Sequence, residues 1–151
     1  MTEKAYERHA WIILFTLGVL LMLSALAPFS ESVAGPDEGD QRAFGVSWVD
    51  LQASNPGAAS LISFQYRIFG LAWLGFAFFV TAVSLKSYRK GERWAWYALW
   101  ILPAVLGLFV ATVYVGGNTG LAIQYTVPLA LSLFGLLLPY RKFFPEEAQS
   151  A

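Results

Sequence analysis

The residue with the clearest chemical potential is Arg67. It borders a long apolar run, with Leu85 about 27 Å further along if the run is helical. A guanidinium beside hydrocarbon needs a partner, because an unpaired one costs several kcal/mol. Asp50 is the nearest candidate in sequence, with Glu31 and the acidic segment Asp37 to Asp40 as alternatives. Such a site could hold an anionic or polar ligand. It could equally be a structural pair that pins a loop, or an arginine reaching for lipid phosphates.

A second polar group surrounds the turn Gly116-Gly117-Asn118-Thr119-Gly120 and comprises Tyr114, Asn118, Thr119, Gln124 and Tyr125. With Gln65 and Arg67, these residues could line a cavity. The plainer reading is turn chemistry and inter-helix hydrogen bonds. His9 stands alone, without a ligand set or a nucleophile to activate. Cysteine is absent, which removes disulfides and thiolate metal sites. No metal or other cofactor is expected, and no catalytic residue is assigned. Zero formal net charge argues against a nucleic-acid partner.

These side chains must be positioned by helices. Apolar residues make up 57% of the chain and charged residues 13%, too few charges to cover a soluble fold of 151 residues. Four apolar runs, at about 11–27, 64–85, 94–115 and 121–138, approach the length that crosses a 30 Å hydrocarbon layer. The expected fold is all-α: one integral membrane domain over residues 1–151, a four-helix bundle. Ala25-Leu26-Ala27 resembles a signal-peptide cleavage site, but Pro28 would follow the scissile bond, so the first run is expected to remain as a span.

Eight of the ten basic residues (Lys4, Arg8, Lys86, Arg89, Lys90, Arg93, Arg141 and Lys142) fall on one side, leaving Arg42 and Arg67 for the other. The positive-inside rule then places both termini in the cytoplasm of a prokaryotic cell, with a loop at 29–63 outside. Trp11, Tyr88, Trp94, Trp96, Tyr97, Tyr140, Phe143 and Phe144 would form an aromatic belt at the inner boundary. In the outer loop, Ser30 to Arg42 reads as exposed, mobile chain. Ser47 with Asp50 three residues on reads as a capped start to a short interfacial helix ending near Ser54. Asn55-Pro56 reads as the start of a second span that projects beyond the lipid. Pro103 and Pro128 can kink the third and fourth spans.

Trp48, Asp50, Leu51, Asn55-Pro56, Arg67, Gly70 and Gly91-Glu92-Arg93-Trp94-Ala95-Trp96 resemble a pattern in small prokaryotic four-span membrane proteins, over about residues 45 to 115. The resemblance implies a shared fold and no activity. Sterol-isomerase-like and sigma-receptor-like proteins carry acidic residues within their spans, which this chain lacks.

Two functions follow as expectations. The first is a non-enzymatic accessory or scaffolding protein of the cytoplasmic membrane, with lipids, a membrane-protein complex or a second copy as partners. The second is a binder or carrier of a small lipophilic or amphipathic molecule, in an outward cavity between spans two, three and four. Ala104, Gly107 and Ala111 on one face of span three suit helix contact within the bundle or with another subunit.

Overall fold

The computed structural model describes residues 5–30 and 35–144; Lys4 and Glu31 lie outside them. The elements are α1 (Ala5–Leu26), α2 (Glu38–Phe44), α3 (Trp48–Ser54), α4 (Pro56–Val83), α5 (Arg93–Leu99), α6 (Ile101–Val115), α7 (Thr119–Leu137) and α8 (Tyr140–Phe143), with no strand among the described residues. A 3-10 turn extends α1 to Phe29, and a π turn extends α4 to Tyr88. Four helical stretches are therefore long and apolar enough to cross a membrane: His9–Phe29, Pro56–Tyr88, Arg93–Val115 and Thr119–Leu137. Leu108 and Ile123 are each 71% exposed, and Leu23 and Phe78 are exposed on the same outer surface. A large apolar side chain left in water forgoes about 1.5–3 kcal/mol, so this exterior suits lipid.

Each boundary has a local cause. Asn55 accepts from Ala58 N at 3.1 Å, and Pro56 stands at the first helical position, so α4 starts where the sequence places it. Ser47 accepts from Asp50 N and starts α3 in the same way. Pro103 has no N–H for the carbonyl of Leu99, and the third apolar stretch breaks at Trp100 into α5 and α6. Pro128, by contrast, lies within an uninterrupted α7.

α1 packs along α4, α6 along α7, and α1 also along α7, which joins the two pairs. Leu14, Leu17, Leu21 and Ala25 of α1 recur at helical spacing, and they meet Trp73, Ala77 and Val80 of α4 and Leu136 of α7 in one buried core. Gly18 lets α1 and α4 approach closely: a Cβ there would lie 3.0 Å from Thr81 N and 3.1 Å from Thr81 Cα. α4 and α6 meet through rings. Phe109 lies 6.4 Å from Phe69 and 5.9 Å from Trp73, centroid to centroid.

The end bearing the 84–93 turn and α8 is basic, and three of its cations, Arg89, Arg93 and Lys142, are tied down. Arg93 Nε donates to Phe143 O at 3.0 Å, Lys142 Nζ donates to Arg89 O at 3.2 Å, and the Arg89 guanidinium lies 4.9 Å from the Trp11 ring centre. The two hydrogen bonds run from cations to carbonyls beside helix C-termini, where positive charge is favoured. Trp94 Nε1 donates to Glu92, and this bond, helped by Ser87, holds the Glu92 carboxyl below its ordinary range. Trp96, Tyr97, Tyr140 and Phe144 form a cluster of packed rings.

Three members of the expected belt, Tyr88, Phe143 and Phe144, belong instead to the core. Tyr88 and Phe143 are 2% and 1% exposed, with ring centres 4.7 Å apart. Tyr88 OH donates to Gly135 O at 2.7 Å across the bundle. Tyr88→Phe keeps the ring and strands this carbonyl, so a loss of about 1–2 kcal/mol is expected, measured as a lower thermal midpoint in detergent.

Candidate functional site: a capped cavity

At the opposite end, the acidic segment is folded. Asp37 accepts from Asp40 N at 2.7 Å and caps α2, and Gly45 closes that helix at φ 65°. The expectation of mobile chain over Ser30 to Arg42 is thus corrected from Asp37 onward; 31–34 lie outside the described residues. The pattern of a capping side chain with a carboxylate three residues on, which marks α3 at Ser47 and Asp50, also occurs at Asp37 and Asp40 and was the available signal. Gln41 joins the two short helices: its Nε2 donates to Pro36 O at 3.1 Å, and its Oε1 accepts from Trp48 N at 2.9 Å.

α2 is held on the bundle by its carboxylates. Asn118 Nδ2 donates to Asp37 Oδ1 at 3.2 Å and to Asp40 Oδ1 at 3.0 Å, and Tyr66 OH donates to Asp40 Oδ2 at 2.8 Å. Asn118 also caps α7, its Oδ1 accepting from Leu121 N at 3.1 Å. One buried amide therefore starts the last long helix and anchors the cap. Gly39 makes the close approach possible, because a Cβ there would come within 2.5 Å of Asn118 Oδ1.

Beneath α2 lies a cavity of about 640 Å³, within the size range of small-molecule sites. All four long helical stretches line it: Ala25 and Pro28 from the first, Tyr66, Phe69, Gly70 and Trp73 from α4, Phe109 and Val113 from α6, and Leu121, Gln124 and Tyr125 from α7. Rings form the inner wall, with Phe69 to Trp73 at 5.8 Å and Phe109 to Tyr125 at 4.7 Å. Polar atoms concentrate at the cap, on Asp37, Asp40, Gln65, Tyr66 and Gln124. The space can hold an apolar body at one end and a hydrogen-bonding group at the other. Among the described residues, no group of three or more His, Asp or Glu could hold a metal ion.

The structure divides the expected site residues. Gln65, Gln124 and Tyr125 line the cavity, joined by Tyr66, Asp37 and Asp40, which had not been grouped with them. Asn118 holds the cap from just outside. Tyr114 is 66% exposed and is not part of the lining, since the cavity face of α6 carries Phe109 and Val113. Arg67 lies elsewhere. Residues two apart on a helix point about 200° apart, so Arg67 cannot share the face of Gln65. It borders a separate groove with Gln52 and Ser63, and no ion pair joins it to Asp50.

The fold and site together define an all-helical chain with four stretches able to span a membrane and a capped cavity at one end. No family model, curated protein or solved structure matches the chain.

Proposed function

We propose that this chain is a multi-pass protein of a prokaryotic cytoplasmic membrane that binds or carries a small amphipathic molecule in the capped cavity. The one observation that carries the reading is the cavity itself: about 640 Å³ with aromatic walls and polar groups gathered at one end. The apolar body lies among Phe69, Trp73, Phe109 and Tyr125. Its polar end meets the carboxylates of Asp37 and Asp40, which accept, and the amides of Gln65 and Gln124, which both donate and accept, so the ligand carries a hydrogen-bond donor toward the carboxylates. The basic bias supports an outward capped end and cytoplasmic termini. In that orientation α3 lies at the outer membrane surface, and the ligand is reached from outside or from the outer leaflet.

Native mass spectrometry on protein extracted from its membrane in mild detergent tests this reading. A retained small molecule is expected in the unmodified chain. Val113→Trp, which fills the cavity from a half-buried position, is expected to lower its occupancy at least tenfold. No adduct, or an adduct indifferent to Val113→Trp, contradicts the proposal.

A second reading, an accessory protein that contacts another subunit, is favoured by one specific observation. Ala104 and Ala111 are exposed, and a Cβ at Gly107 would meet nothing within 4 Å, so this small-residue face lies open. Crosslinking from position 108 in native membrane should then capture a partner. Crosslinks to lipid alone would dismiss this reading.

A further inference from the structure

We infer that the groove at Arg67 is a phosphate site, separate from the cavity, which takes the headgroup of a membrane phospholipid or the same group on a soluble molecule. The groove encloses about 390 Å³ and is bordered by Gln52 of α3 and by Pro56, Ser60, Ser63, Phe64 and Arg67 of α4. These α4 residues recur at helical spacing and form one face, closed on one side by α3. Donors dominate it. Arg67 supplies a guanidinium fork that matches two phosphate oxygens, while Ser60 and Ser63 supply one hydroxyl donor each and Gln52 an amide NH2.

Their donors are also uncommitted. Ser24, Thr81, Thr112, Thr126 and Ser132 all turn their hydroxyls onto carbonyls of their own helices. Ser60, Ser63, Gln52 and Arg67 make no side-chain hydrogen bond or ion pair with a described residue, and among the described residues no carboxylate borders the groove.

Depth points to the same chemistry. From Arg67 to the end of the α4 stretch at Tyr88 is about 32 Å, close to the thickness of a hydrocarbon layer. With the membrane placement proposed above, on which this inference rests, Arg67 lies level with the phosphates and the rest of the groove lies just beyond them. Ile68 and Leu71, exposed below Arg67, offer apolar surface to an acyl chain.

The test titrates purified protein in mild non-ionic detergent with dioleoylphosphatidylglycerol, dioleoylglycerol or inorganic phosphate, and reads occupancy by native mass spectrometry. The phospholipid is expected to be retained, and dioleoylglycerol, with the same tails and no phosphate, is not. Arg67→Gln should lower phospholipid occupancy about tenfold, and Ser60→Ala with Ser63→Ala by a smaller factor. Arg42→Gln, at a base whose Nε donates to Glu38 O, should leave it unchanged. Binding of inorganic phosphate that depends on Arg67, without retention of the lipid, supports the site and assigns it to a soluble phosphate. Equal retention of the two lipids, or an Arg67→Gln variant of unchanged thermal midpoint and unchanged phosphate binding, overturns the inference. A chain that stays soluble without detergent would remove the membrane placement itself.

Discussion

Asn118→Asp is expected to release α2 from the bundle while leaving α7 intact. The substitution keeps the oxygen that accepts from Leu121 N, so the α7 cap survives. It removes both donors to Asp37 and Asp40 and sets a third carboxylate against them. Hydrogen bonds to charged groups contribute about 1.5–3 kcal/mol each, and a buried like charge adds to the loss, so undocking of α2 should become easier by about 3 kcal/mol or more. Amide exchange over 38–44 should then speed up on the order of 100-fold, with protection over 119–137 retained. Unchanged protection in α2 would show that the cap is held by something other than this amide. Because α2 roofs the cavity, the same variant should lose the retained molecule.

Gly18→Leu should give the largest loss of global stability. Even a methyl group at this position meets the backbone of Thr81, which cannot rotate away, so α1 and α4 must separate along the interface that carries most of the core. Overpacking of this kind costs about 1–3 kcal/mol for small additions and more for a branched side chain. A fall of about 10 °C or more in the thermal midpoint in detergent is expected for Leu, and a smaller one for Ala. Gly75→Ala is the control. Its Cβ would meet nothing within 4 Å, so higher helix propensity should leave stability unchanged or raise it by up to about 1 kcal/mol. Equal losses at positions 18 and 75 would contradict the packing described.

The long helices were legible because lipid imposes a coarse, strong signal: an apolar run of the right length must be helical to satisfy its own backbone. Starts and breaks were legible where a cap or a proline acts locally, as at Ser47, Asn55 and Pro103. The site was only partly readable. Gln65 of α4 and Gln124 and Tyr125 of α7, which the sequence reading grouped together, line one cavity. Arg67 was grouped with Gln65 although helical geometry sends them to different faces, and they border different spaces, a separation that the spacing alone implies. Asp37 and Asp40 were read as part of an exposed, mobile segment, or as partners of Arg67, because a Gly-rich acidic stretch has that composition. Their role depends on Asn118, about eighty residues away, and local patterning does not carry that partnership. Tyr88 and Phe143 illustrate the same limit. Both sit at a basic boundary where aromatic rings ordinarily anchor to the interface, but tertiary packing places them in the core.

The most direct measurement is an experimental density map of the protein purified from its own membrane without added lipid. The account predicts an elongated feature among Phe69, Trp73, Phe109 and Tyr125, its polar end toward Asp37 and Asp40. Rings collapsed onto one another, with the space beneath α2 closed, would contradict it.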